Sequence, residues 1–226
     1  MKLIIDANNT KVYDDVLDQE TFNNLFTYFN YIPLVFQQAQ EEWNRVWSFS
    51  DGNILVGQPH TWFPNKPPPL QESDKILLTV IKKINECITS SNFFDIGQIQ
   101  TLVMTPFCWP PGTGLSWHND SNYLGAVTFY CHNYWSPEWG GEFLTVEAND
   151  YIYDNKKNIT WKVFDNQELY DIIMERGHGH FFHPKPNRLI LNKGGEKGIL
   201  HKVNKSTLDS RARLTLQCFI RGKNGK

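Results

Sequence analysis

Cysteine is scarce in this 226-residue chain, and its distribution excludes several protein classes at once. Cys87, Cys108, Cys131 and Cys218 form no Cys-x-x-Cys pair and lie about twenty or more residues apart. That spacing argues against a disulfide-dense secreted scaffold, so buried free thiols in a reducing compartment are expected. Long hydrophobic runs are missing too: none approaches the roughly 18 residues that a membrane span needs. The opening Met1-Lys2-Leu3-Ile4-Ile5-Asp6 meets an acid at once and does not read as a signal peptide. Charge of one sign is also lacking. A formal net charge of -2 gives no field to draw nucleic acid or an anionic membrane. Internal repeats and low-complexity tracts are absent. A cytoplasmic protein with neither membrane nor nucleic-acid partners is expected.

What is present suits a large core. Apolar residues make up 40% of the chain and aromatics 14%, which excludes disorder. A single domain over residues 1–226 fits this length, with helical support over about 1–95 and a β-rich core over about 96–221. Asp18 caps a first predicted helix, whose Phe22, Leu25, Phe26 and Phe29 share one face. Ser73 caps a second, with a stripe of Ile76, Leu77, Val80, Ile81, Ile84 and Ile88. Between them, Gly57 to Leu70 carries five prolines and reads as an irregular loop. From Gln98 onward the pattern changes to short strands: Thr101–Phe107, Gly125–Cys131, Glu142–Val146, His180–His183, Leu189–Leu191, Ile199–Val203 and Arg213–Ile220. Such spacing indicates a sandwich or barrel. Asn149–Glu175 interrupts it as a polar, aromatic-rich insertion, a candidate lid.

The chemistry concentrates in Trp117-His118-Asn119-Asp120. On an extended strand, His118 and Asp120 would leave the same face. One further imidazole, for which His201 is the candidate, completes two histidines and one carboxylate on one side of a metal. The opposite coordination positions then stay open, the arrangement of non-haem Fe(II) oxygenases.

With these residues in order, the region from Gln98 to Arg221 resembles the prolyl-4-hydroxylase-like branch of the 2-oxoglutarate/Fe(II) dioxygenases. Trp109-Pro110-Pro111-Gly112 stands where that family has a Tyr-x-x-Gly turn, and Tyr130 to Trp135 resembles its Tyr-Leu-Asn-x-x-Trp strand end. Trp139-Gly140-Gly141-Glu142-Phe143 is similar to its Gly-Gly-Glu-Leu turn, and Pro184-Lys185-Pro186-Asn187-Arg188-Leu189 to the run before its distal histidine. Val16-Leu17-Asp18 ahead of Phe22 resembles the approach to its first helix.

The resemblance implies a mainly β, double-stranded β-helix (a cupin-like jelly-roll) flanked by N-terminal helices. It implies Fe(II) on His118, Asp120 and His201, with 2-oxoglutarate and O2 as cosubstrates and ascorbate as an accessory. Related halogenases carry a small residue at the carboxylate position, so Asp120 implies hydroxylation. For the distal carboxylate of 2-oxoglutarate, a permanently charged, fork-shaped arginine is needed. Arg213 fits the family's final-strand pattern, whereas Arg211 fits its usual spacing from the distal histidine. Arg213 is preferred. Tyr130 would give its hydroxyl to the same carboxylate. Trp109 replaces the usual tyrosine and would wall the pocket, donating one N–H.

Three other readings carry less weight. His178, His180 and His183 have a zinc-like or cupin-like spacing, but they lead into the proline-rich run and are expected to be loop histidines. His132 and His60 have no evident partner in sequence. An AlkB-type nucleic-acid demethylase would need a second arginine six residues after the first, where this chain has Phe219. A jelly-roll binding module without metal conflicts with an intact ligand set. The expected substrate is a prolyl peptide or protein, with a free amino acid or other small molecule as the alternative.

Overall fold

A computed structural model describes residues 1–37, 49–63, 75–120, 122–146, 171, 173–175, 178–194 and 199–223. Thirteen strands and two helices are named among them. The N-terminal part contributes β1 (Lys2–Asp6), β2 (Thr10–Asp14), α1 (Gln19–Tyr28), β3 (Val35–Gln37), β4 (Ile54–Val56), β5 (His60–Trp62) and α2 (Lys75–Ser91). The remainder contributes β6 (Ile99–Trp109), β7 (Leu115–His118), β8 (Gly125–Tyr130), β9 (Phe143–Val146), β10 (His180–Phe182), β11 (Leu189–Lys193), β12 (Leu200–Val203) and β13 (Arg213–Gly222).

The strands form two antiparallel sheets. The larger runs β1-β2-β11-β8-β13-β6-β4-β3, with β5 also paired to β6; the smaller runs β10-β9-β12-β7. Alternation along β13 divides the environment of the larger sheet. Leu214, Leu216, Cys218 and Ile220 face a core shared with Phe22 and Leu25 of α1 and Leu77, Ile81, Ile84 and Ile88 of α2. Fully burying each such side chain contributes about 1.5–3 kcal/mol. Arg213 and Thr215 point the other way, toward the space between the sheets. There Val12, Tyr130 and Ile190 of the larger sheet meet Phe143, Phe182 and Val203 of the smaller. This two-sheet architecture with helices against one face matches the expected jelly-roll.

α1 starts where its cap predicts, with Asp18 accepting from the Thr21 amide at 2.8 Å. Ser73 lies outside the described residues, as do most of Asn149–Glu175 and the later part of the proline-rich loop.

The first 62 residues, expected to be helical support, also supply five strands. β2 is buried along its whole length and pairs with β11. Its place in the sheet is fixed by Pro184-Lys185-Pro186-Asn187-Arg188-Leu189. Arg188 donates to both Asp14 oxygens at 2.6 and 3.0 Å, and Lys185 donates to Oδ2 at 2.9 Å. Asn187, at φ 61°, trades two hydrogen bonds with the Leu17 backbone. Burial pushes the Asp14 carboxyl up, but these cations outweigh it and hold the carboxyl below its ordinary value.

All four cysteines are buried and free. Burial pushes the Cys87 and Cys218 thiols up to about 12, so neither is a ready thiolate. Among the described residues, no helix is long and apolar enough to cross a membrane.

Candidate metal centre

His118, Asp120 and His201 come together, with one ligand atom from each lying within 4.8 Å of the others. His118 ends β7 and pairs directly with His201 of β12, so cross-strand register sets the two imidazoles side by side at 4.2 Å between ring centres. Asp120 lies beyond the end of β7. Its carboxylate therefore converges through the turn that follows, where the Tyr123 amide donates to the Asp120 carbonyl at 3.0 Å, and not through strand alternation alone.

Both rings are held in one tautomer. His118 Nδ1 lies 2.7 Å from the Ser116 carbonyl, and His201 Nδ1 lies 3.0 Å from the Ile199 carbonyl. A carbonyl only accepts, so each Nδ1 carries the proton and each Nε2 presents a lone pair. Phe143 stacks on His201 at 5.1 Å and restricts its rotation.

Those lone pairs meet another acceptor. Asp120 Oδ2 is buried, has no hydrogen-bond partner among the described residues, and sits 3.3 Å from His201 Nε2. Asp120 Oδ1 is 4.0 Å from His118 Nε2. Acceptors this close in a dry site require a cation between them, either a proton or a metal. The titration behaviour agrees. Burial, aided by His201, lowers His118 to about 4, so it is neutral at physiological pH. Burial would lower His201 too, but the Asp120 charge outweighs it and raises His201. Burial would raise Asp120, yet the histidines hold it down. A neutral His118, an ionised Asp120 and a His201 whose Nε2 proton a metal would displace are a donor set that fits a divalent transition metal.

Arg213 lies on the inner face of the larger sheet and has the largest side chain among the most deeply buried residues. Its Nη1 donates to the Gly141 carbonyl at 3.2 Å, and its guanidinium lies 5.2 Å from the Trp109 ring centre. Among the described residues no carboxylate forms an ion pair with it. Burial lowers its pKa to about 10, which still leaves it charged. A buried, unpaired cation is costly, and an anionic ligand relieves that cost. Arg211, in contrast, is exposed and lies over Tyr134. Tyr130 is 1% exposed on the neighbouring strand, and burial pushes its hydroxyl to about 12, so it stays a donor. Trp109 spends its one N–H on Thr215 Oγ1 at 3.1 Å. What it offers the interior is therefore its ring face.

Neither a family model nor a curated protein matches the sequence. Solved structures do match. A prolyl-4-hydroxylase from Pseudomonas putida is 15% identical at a TM-score of 0.59, over 94% of this chain and 92% of its own. A prolyl hydroxylase from Trichoplax adhaerens, solved with a hypoxia-inducible-factor degradation-domain peptide, is 14% identical at 0.62, over 97% and 86%. A 2OG-Fe(II) oxygenase family protein from Burkholderia pseudomallei is 12% identical at 0.58, over 94% and 85%. The chain shares the 2OG-Fe(II) oxygenase fold.

Within that fold, the remaining histidines stay apart from the triad. His178 and His180 are exposed, and His183 Nδ1 lies 3.9 Å from Glu142. His132 is buried, with Nε2 2.6 Å from the Pro184 carbonyl. Phe219, at the position that argued against a demethylase, stacks on Tyr123 at 4.4 Å.

Two supports escaped the sequence reading. Gly141, at φ 76°, approaches Arg213 so closely that an added Cβ would stand 2.8 Å from Nη1. The Gly140-Gly141 pair signalled a turn, but nothing in sequence linked it to Arg213. Asp51, buried next to β7, accepts from the Ser116 amide at 3.0 Å and from its hydroxyl at 3.0 and 2.8 Å. A lone acid far from any motif gave no signal of that.

Proposed function

We propose that this chain is an Fe(II)- and 2-oxoglutarate-dependent hydroxylase, a single domain over residues 1–226, acting on prolyl residues of a peptide or protein. The observation that carries this reading is the convergence of His118, Asp120 and His201 in a dry site, with a buried unpaired arginine on the same interior. The shared fold supports it, and the peptide in the Trichoplax adhaerens hydroxylase supports the substrate class.

In this reading His118, Asp120 and His201 would hold Fe(II), and a set of only three protein ligands would leave room for 2-oxoglutarate and O2. When bound, Fe(II) would supply the oxidative chemistry in which 2-oxoglutarate is decarboxylated to succinate and CO2, one oxygen atom of O2 entering succinate and the other the hydroxylated product. The protein's share is placement. Arg213 and the Tyr130 hydroxyl bind the distal carboxylate of 2-oxoglutarate, and the Trp109 ring walls that end of the interior. The tautomers fixed by Ser116 and Ile199 keep both Nε2 atoms available to the metal. Phe143 and Tyr130 close the space between the sheets against water. Ascorbate would serve as the reductant that keeps the metal ferrous. Four buried thiols fit a reducing compartment such as the cytoplasm.

The test is a screen of prolyl peptides against free amino acids with Fe(II), 2-oxoglutarate and ascorbate present. Succinate release coupled to a mass gain of one oxygen on a prolyl peptide is expected. Coupled turnover with free amino acids alone would move the substrate to the small-molecule class. The absence of any 2-oxoglutarate consumption would overturn the enzyme reading.

A further inference from the structure

We propose that Asp51 is a positioning residue for the metal centre, acting on His118 through Ser116. The inference rests on the metal-site reading above and concerns a residue outside the ligand set. Asp51 closes the 3-10 turn Phe49–Asp51 and is 4% exposed. Its carboxylate takes three contacts from one residue: the Ser116 amide at 3.0 Å and the Ser116 hydroxyl at 3.0 and 2.8 Å. Its backbone carbonyl accepts the Gly114 amide at 2.9 Å. Asp51 thus grips the start of β7 at two alternate residues.

The grip is passed on by a single residue. The amide of Ser116 points to Asp51, and its carbonyl accepts from His118 Nδ1 at 2.7 Å. Fixing Ser116 fixes the carbonyl that selects the His118 tautomer and aims Nε2 at Asp120. A ligand histidine whose other nitrogen is held this way is oriented by its outer partner, and loss of such partners typically weakens metal binding by 10–100-fold. Behind His201 the Ile199 amide donates to a backbone carbonyl, that of Lys193 at 3.4 Å, and among the described residues no side-chain carboxylate holds it as Asp51 holds Ser116. The two imidazoles are therefore held unequally, and His118 depends on a side chain from a distant part of the sequence. Gly52, at φ 86° and pressed against Thr113, lets the backbone turn away immediately after Asp51 has made these bonds.

The experiment measures Co(II) binding to the full chain by its visible d–d absorption, for wild type, Asp51→Ala, Asp51→Asn, Ser116→Ala and Asp14→Ala. Asp51→Ala is expected to weaken Co(II) by about 10–100-fold and to alter the band shape. Asp51→Asn, which keeps one acceptor for the Ser116 amide, should recover part of the loss. Ser116→Ala, which retains the amide and carbonyl, should lose less than Asp51→Ala. Asp14→Ala breaks a clamp whose partners are Lys185 and Arg188, not the metal ligands, and should leave affinity and band unchanged. No Co(II) binding by wild type would sink the metal reading itself. Wild-type affinity and spectrum in Asp51→Ala would overturn only the positioning role, as would an equal loss in Asp14→Ala. If Asp51→Ala does not fold, full affinity in both Asp51→Asn and Ser116→Ala overturns it.

Discussion

Arg213 and Arg211 leave β13 and its approach only two residues apart, yet their surroundings are opposite. Arg213 is 2% exposed with a carbonyl and an aromatic face as company, whereas Arg211 is exposed. Removing one partner of a buried charge pair costs about 3–5 kcal/mol. At about 1.4 kcal/mol per decade, Arg213→Ala should weaken 2-oxoglutarate by roughly two to three orders of magnitude. Arg211→Ala should stay within about 0.5 kcal/mol, as surface substitutions do. Lysine at 213 should recover part of the affinity, keeping the charge but not the two-pronged geometry. Calorimetric titration with 2-oxoglutarate separates these cases. A large loss in Arg211→Ala with a small one in Arg213→Ala would reverse the assignment. Gly141→Ala tests the same pocket from its floor. A non-glycine residue at φ 76° carries strain of about 1–3 kcal/mol, and its Cβ would collide with Nη1. It should weaken 2-oxoglutarate while leaving Co(II) affinity intact, and a variant that binds both normally would show that the turn is not a constraint on Arg213.

At the scale of elements, the Asp14 clamp joins β2 to the turn before β11. Asp14 is depressed below its ordinary value in the fold, so its stabilising contribution is present above the unfolded carboxyl pKa and is lost as pH falls through the folded one. Asp14→Asn should unfold more readily at neutral pH and show a flatter stability profile below about pH 4. Urea unfolding from pH 7 to pH 3 measures both, and parallel profiles for the two proteins would refute the clamp. This element also marks how far sequence carried. The amphipathic stripes of α1 and α2 and the apolar runs of β6, β8 and β13 are local patterns, and their placement was legible. β1 to β5 were not, because they are three to five residues long and β2, β4 and β5 join the sheet through distant partners: Val12 pairs with Ile190, Leu55 with Cys108 and His60 with Met104. The His-x-Asp motif was legible, but the chain leaves β7 at His118, and the turn at Asp120, closed by the Tyr123 amide, was not. Asp51 and Gly141 act through contacts that no spacing encodes.

For the whole molecule, the metal ligands converge only in the folded chain, so an ion that binds them should stabilise the whole fold. A ligand at about 100 times its dissociation constant adds about 2.7 kcal/mol. For a chain of this size that corresponds to a rise in Tm of roughly 5–11 °C. Co(II) should produce such a shift in wild type and not in Asp120→Ala, as read by differential scanning calorimetry; equal shifts in both would place the ion elsewhere. The most direct measurement is optical. Under anaerobic conditions, Fe(II) and 2-oxoglutarate added together to wild type should give a visible metal-to-ligand charge-transfer band, and Asp120→Ala should give none. A band of full intensity in Asp120→Ala, or no band in wild type, would contradict the assignment of His118, Asp120 and His201 as the iron site.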